Sequence, residues 1–178
     1  MLNIEDSLLL IIDIQDKLVK ASKDSETIAK KSSILGAAAR ILKVPTIVTE
    51  QYPQGLGATV DELKTCLAED VNFFEKTSFS ALSTISEELV SKNRKQIILC
   101  GIEAHICVYQ TCLELLGKGF DVYVVKDACS SRNDFEYQTG LDLMKQAGAK
   151  LTCVETVLFE LLKTSKHPDF KSVQALIK

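Results

Sequence analysis

Four short apolar runs, Leu8–Ile12, Thr46–Val48, Ile97–Leu99 and Val122–Val125, limit the fold of this chain most strongly. Each is β-rich and apolar at successive positions, not at alternate ones. Strands buried on both faces read this way, because neither side of the pleat meets water. Two weaker runs, Asn72–Phe74 and Lys150–Val154, have the same character. Segments of helical period lie between them: Glu26–Leu42 carries Ile28, Ile34, Leu35, Ala38, Ile41 and Leu42; Ser83–Asn93 carries Ile85 and Leu89; Phe135–Ala147 carries Leu141, Leu143 and Met144. Strand alternating with helix builds βαβ units and a parallel sheet with helices on both faces. The expectation is an α/β fold with a six-stranded, mostly parallel sheet, in an order such as 3-2-1-4-5-6. A short C-terminal helix is predicted from His167-Pro168 to Ile177, with proline suited to its first turn. No linker or repeat divides the chain, so residues 1–178 are read as one domain.

Composition narrows the function classes. The 178 residues are 46% hydrophobic and 25% charged, with a net charge of −3, ordinary for a globular protein with a sizeable core. An acidic chain without a lysine/arginine block gives no electrostatic case for nucleic acid or membrane. The six cysteines (66, 100, 107, 112, 129 and 153) include no C-x-x-C pair, and several lie in apolar runs. They read as small buried hydrophobes in a reducing compartment. The acidic start, Met1 to Asp6, lacks a basic n-region, and Leu8–Ile12 is too short to span a bilayer, so a cytoplasmic location is expected.

Chemistry concentrates at strand ends. In open α/β sheets ligands gather over the carboxyl edge. The stretch Leu99-Cys100-Gly101-Ile102-Glu103-Ala104-His105-Ile106-Cys107-Val108 places Cys107 where a strand gives way to a helix. Free N–H groups and the helix dipole there favour a thiolate over a thiol. Asp13 follows five apolar residues of the first strand and could take the thiol proton. Lys76 follows Phe73-Phe74-Glu75, and its ammonium could hold both anions. Each has a plainer reading: an N-cap or turn aspartate, a solvated lysine, a structural cysteine. Together they compose a base, an electrostatic support and a nucleophile. Gln51, Tyr52, Phe79 and His105 are candidate pocket residues; core or lid packing accounts for the first three equally well. His105 stands two residues from Cys107, a spacing at which helical side chains do not face each other, and reads as a rim or interface residue.

Three motifs carry a family resemblance: Leu9-Leu10-Ile11-Ile12-Asp13-Ile14-Gln15, Phe74-Glu75-Lys76-Thr77-Ser78-Phe79-Ser80, and Gly101-Ile102-Glu103-Ala104-His105-Ile106-Cys107-Val108. Asp127-Ala128-Cys129-Ser130-Ser131-Arg132 adds a D-A-x-S-S/T-R pattern. Over nearly its whole length the chain resembles the isochorismatase-like (cysteine hydrolase) superfamily, in particular the small isochorismatase-domain-containing proteins. The resemblance implies a Rossmann-like three-layer α/β/α sandwich. It implies a catalytic triad of Asp13, Lys76 and Cys107. It also implies a cis peptide between Ile102 and Glu103 that sets the N–H of Glu103 beside that of Cys107 as an oxyanion hole.

The chain departs from some relatives. Nicotinamidases of the superfamily carry a metal-binding Asp-x-His after the second strand; here the stretch is Thr49-Glu50-Gln51-Tyr52, and His105 and His167 are the only histidines. No metal and no cofactor is expected. Cys107 argues against isochorismate as substrate, since true isochorismatases in many cases lack the nucleophile. Ala104 stands where several amide-cleaving relatives have threonine. The resulting expectation is a metal-independent cysteine hydrolase of a small amide or imide, working through a thioester. The alternatives are a weakly catalytic or non-catalytic oligomeric partner protein that retains the triad, and a redox thiol protein using Cys129 and Cys153. A homo-oligomer, dimer or higher, is expected, with the tail from His167 as a candidate interface.

Overall fold

The computed structural model describes all residues, Met1–Lys178. Six strands form one all-parallel sheet: β1 (Ser7–Ile12), β2 (Thr46–Gln51), β3 (Phe73–Lys76), β4 (Gln96–Ile102), β5 (Asp121–Ser130) and β6 (Lys150–Thr152). Their order is β3-β2-β1-β4-β5-β6, so the chain reverses direction of travel at β1 and β4 and opens its switch point between them. The helices are α1 (Asp16–Ala21), α2 (Ser25–Leu42), the single turns α3 (Pro53–Leu56) and α4 (Asp61–Lys64), α5 (Leu82–Lys92), α6 (Tyr109–Gly117), α7 (Asp134–Gln146), α8 (Val154–Leu162) and α9 (Phe170–Ala175). Every residue of β1 is buried, as the uninterrupted apolar run requires. Leu9 and Ile98 face Leu35, Ala38, Val157 and Leu158 of α2 and α8, while α5, α6 and α7 cover the opposite face. One continuous apolar core results.

Several elements differ in extent from the sequence expectation. β2 and β3 continue through Gln51 and Lys76, and β5 runs to Ser130, so charged and polar residues close three strands instead of following them. Their backbones pair with a neighbour whatever the side chain: Gln51 lies in register with Lys76, and Ser130 with Ile102. The weak run Lys150–Val154 is a strand only to Thr152. Cys153 caps a helix beginning at Val154, whose amide donates to Asp127 Oδ1 at 2.8 Å. Helix α8 follows because Val157, Leu158, Leu161 and Leu162 recur at helical spacing and are buried. The segment after β4 is not a plain helix start. Ala104–Val108 forms a π-helical turn, closed by the Val108 amide on the Glu103 carbonyl, and only then does α6 begin.

Two glycines allow the close approaches that shape this region. Gly101 has φ +141°, and a Cβ there would stand 2.1 Å from the Ile12 carbonyl oxygen. At Gly140 of α7 a Cβ would lie 2.8 Å from backbone atoms of Ala104 and His105, so α7 lies directly against the π turn.

Candidate active site

Asp13 and Lys76 stand at the ends of β1 and β3, and Cys107 lies in the π turn that follows β4, all at the carboxyl edge of the sheet. Asp13 leaves β1 with φ +52°, a left-handed conformation that aspartate tolerates better than most residues. Its amide is held by the Thr49 carbonyl at 3.1 Å. The carboxylate accepts from Thr49 Oγ1 at 2.7 Å on one oxygen and from Lys76 Nζ at 2.7 Å on the other. Neither the Asp13 nor the Lys76 side chain has any accessible surface. Lys76 Nζ also donates to Gln51 Oε1 at 2.7 Å, the Phe79 carbonyl at 3.1 Å and the Ser78 carbonyl at 3.3 Å. The Cys107 thiol lies within the electrostatic influence of both charged groups and is 6% exposed.

The electrostatics correct one expectation. The surroundings of Cys107 work against the thiolate expected at a helix start. Burial, and then the negative charge of Asp13, push the Cys107 thiol up to about 12, against the opposing pull of Lys76. The π turn puts Cys107 inside the packed core and not at a solvated helix start. Burial also raises Asp13 above its ordinary value, although Lys76, Thr49 and the thiol each favour its charged form. The net effect favours the protonated thiol, beside a buried carboxylate–ammonium pair. A carboxylate so desolvated is a stronger base than one in water.

The candidate pocket residues divide. Gln51 is not a free wall, since its side chain is committed to Lys76 and, through Nε2, to the Thr77 carbonyl at 2.9 Å. His105 turns away from Cys107: Nδ1 lies 3.0 Å from Ser131 Oγ, and Nε2 lies 3.8 Å from Glu136 of α7. Tyr52 and Phe79 stand 55% and 53% exposed, beside the backbone that holds Lys76. The Ile102–Glu103 peptide is cis. The Glu103 carboxylate is held by Arg132 Nε at 2.9 Å, tying the π turn that carries Cys107 to the end of the D-A-C-S-S-R stretch. Sequence reading missed Thr49 as a partner of Asp13 and Gln15 as a support. Both were signalled by polar residues beside apolar strand runs, and both are buried. No three His, Cys, Asp or Glu side chains are grouped to hold a metal ion. No helix is long and apolar enough to cross a membrane.

Comparison with known proteins follows the same outline. A model of the isochorismatase domain matches residues 7–156. The chain is 45% identical over 173 residues to isochorismatase domain-containing protein 2 of Xenopus laevis, covering 96% of this chain and 83% of that one. It is 41% identical over 177 residues to the secreted isochorismatase effector Isc1 of Phytophthora sojae, covering 97% and 84%. Among solved structures, the MAR1 ribonuclease from Caenorhabditis elegans superposes with a TM-score of 0.95 at 46% identity, over 99% of this chain and 91% of that one. Two YcaC structures match at 26% identity. The Escherichia coli protein, described as an octameric hydrolase of unknown specificity, has a TM-score of 0.88 and coverage of 98% and 94%. The Pseudomonas aeruginosa protein, with hexane-2,5-diol and covalent acrylamide, has 0.92 and coverage of 99% and 89%.

Proposed function

The chain belongs to the isochorismatase family, and from that premise we propose that it is a cysteine hydrolase cleaving the C–N bond of a small amide or imide through a thioester on Cys107. One observation carries the reading: a carboxylate–ammonium pair with no accessible surface is built against a thiol, from two strand ends and the π turn after a third strand. A fully buried ion pair is a poor source of stability, so its placement beside a nucleophile calls for a use.

Asp13 accepts the thiol proton as sulfur attacks the carbonyl carbon. The negative charge passes from the carboxylate through sulfur to the carbonyl oxygen, while Lys76 stabilises the charge developing on sulfur. The amides of Glu103 and Cys107 receive the oxyanion; loss of one such donor costs about 3–4 kcal/mol of transition-state stabilisation. The C–N bond breaks, and the leaving nitrogen takes the proton from Asp13. Water then attacks the thioester with Asp13 again as base, releasing the acid and restoring the thiol. The thiol's high affinity for its proton makes proton transfer and attack a single event, without a standing pool of thiolate. Covalent acrylamide in the P. aeruginosa YcaC fits a family site that reacts with small amide-bearing electrophiles.

A cytoplasmic setting and a homo-oligomer are part of this reading. All six cysteines are free, as a reducing compartment favours, although the P. sojae relative is named as secreted. The octameric E. coli relative supports assembly. RNA is not part of this reading despite the name of the C. elegans protein, because a net charge of −3 makes no electrostatic case for binding a phosphate backbone.

The test is a panel of small amides and imides assayed for ammonia or amine release, with rapid-quench mass spectrometry for an acyl adduct on the Cys107 peptide. Turnover is expected in the wild type and lost in Cys107→Ala and Asp13→Asn. Turnover retained in Cys107→Ala would overturn the mechanism. Cleavage of a labelled RNA that disappears in Cys107→Ala would replace the substrate class.

A further inference from the structure

Strand β1 stops at Ile12, whereas its neighbour β2 continues to Gln51. With Asp13 turned into the left-handed region, Gln51 has no strand beside it on the β1 side. The Gln15 side chain takes that place. Its Oε1 accepts from the Gln51 amide at 2.7 Å, and its Nε2 donates to the Gln51 carbonyl at 3.0 Å and to the Gly57 carbonyl. One carboxamide thus reproduces the paired bonds of a strand neighbour. On the other side Gln51 lies in register with Lys76, and the next amide, of Tyr52, donates to the Lys76 carbonyl at 2.9 Å.

The Gln51 side chain then reaches the ammonium. Its Nε2 is committed to the Thr77 carbonyl, so its oxygen faces Lys76 Nζ. An ammonium has three protons, and four acceptors surround this one. Asp13 and Gln51 are the two short contacts, both at 2.7 Å. The carbonyls of Phe79 and Ser78 are longer. Gln51 is thus the one side chain besides the base itself that sets where the charge sits. A neutral acceptor suits the place. A carboxylate there would compete with Asp13 for the ammonium and add a second negative charge beside the thiol.

We propose that Gln51, clamped by Gln15, is a positioning residue that aims the Lys76 ammonium so that it serves both Asp13 and Cys107. The inference rests on the reading of Cys107 as nucleophile. Its effect passes through Lys76 and not through contact with a substrate.

The test is the rate at which acrylamide alkylates Cys107 between pH 6 and 10, read by peptide mass spectrometry. Sulfur bonds to the terminal carbon of acrylamide, and the thiol proton ends on the adjacent carbon, so no co-reactant is needed. Gln51→Leu is expected to slow alkylation about 10-fold at pH 8, the equivalent of one charge-assisted hydrogen bond. It should also move the pH profile to the alkaline side. Gln51→Glu should move it further, and Gln15→Leu in the same direction by less. Lys76→Met/Gln51→Leu should react as Lys76→Met alone, since a residue acting through Lys76 has nothing left to position. An unmoved profile in Gln51→Leu, or an equal slowing with and without Lys76, would overturn the proposal. Circular dichroism checks folding; if Gln51→Leu does not fold, the near-isosteric Gln51→Glu carries the test alone. Wild-type Cys107 reacting no faster than Cys112 would sink the nucleophile reading itself, a failure recognisable before any glutamine variant is made.

Discussion

Replacing Lys76 with methionine should destabilise the protein by an amount that depends on pH. Methionine keeps most of the volume and removes the charge. Asp13 then retains the Thr49 hydroxyl as its remaining strong donor, and the Gln51 oxygen loses its short partner. Breaking a buried pair by removing one member costs about 3–5 kcal/mol, because the other charge stays behind unpaired. Asp13 can escape much of that cost by taking a proton. Taking that proton moves its pKa further in the direction in which burial already pushes it. The direction follows from linkage. Burial already raises Asp13 above its ordinary 3.8, so the folded state binds its proton more tightly than the unfolded chain. Stability from such a group is present below 3.8 and is lost as pH rises through the folded value. Removing Lys76 extends that window upward. At pH 4.5, close to the unfolded carboxyl's 3.8, the ionisation part of the loss is only about 1 kcal/mol, and it grows toward pH 8. The orphaned Gln51 oxygen adds about 1 kcal/mol at either pH. Urea unfolding of wild type, Lys76→Met, Asp13→Asn and the double variant, at both pH values and one protein concentration, measures these terms. The double variant should recover most of the loss, having no buried charge to strand. A Lys76→Met penalty equal at pH 4.5 and pH 8, or a double variant as unstable as the two single losses combined, would refute the electrostatic account of the site.

Three further outcomes are expected. Gly140→Ala forces a Cβ to 2.8 Å from the Ala104 and His105 backbone; it should cost about 1–3 kcal/mol and slow Cys107 alkylation by displacing the π turn, as read by thermal melts and labelling rates. Burial pushes Cys112 and Cys129, like Cys107, up to about 12, so the native state keeps protons that the unfolded chain releases near 9. Stability should therefore fall above pH 9 by about 1.4 kcal/mol per pH unit for each such thiol, and Cys112→Ala should flatten the decline by one thiol's share in urea titrations from pH 8 to 10. In iodoacetamide labelling of the native protein, the partly exposed Cys66 and Cys153 should react while the buried Cys100, Cys112 and Cys129 stay protected; early labelling of Cys129 would favour the redox reading instead.

Much of the fold was legible because burial on both faces leaves a plain mark on a parallel strand. Leu8–Ile12 and Ile97–Leu99 sit at the centre of the sheet, where nothing polar is tolerated, and their runs are unbroken. Edge strands carry less of that mark. β3 reads Phe73-Phe74-Glu75-Lys76 and β6 only three residues, and both were indistinct in sequence because one side of each meets water or loops. Helix α8 was hidden for the opposite reason. Its apolar residues are so dense that the start of the run resembled more strand.

The sequence by itself determined which side chains stand at the strand ends, because an apolar run that stops at a charge puts that charge at the sheet's edge. Asp13 and Lys76 were named on that basis, and Cys107 from its place where a strand gives way to a helix. Their electrical state was decided by the tertiary structure alone. Proximity to a helix start suggested a thiolate; burial within the π turn, next to a carboxylate already paired with Lys76, pushes the thiol the other way. The tertiary structure also turned Gln51 from a candidate pocket wall into the partner of the ammonium, and seated Gln15 where β1 had departed. Charge state and hydrogen-bond partnership depend on how much water is excluded and on which groups arrive from distant parts of the chain. Neither quantity is local to a sequence, whereas the pattern that builds the strands is.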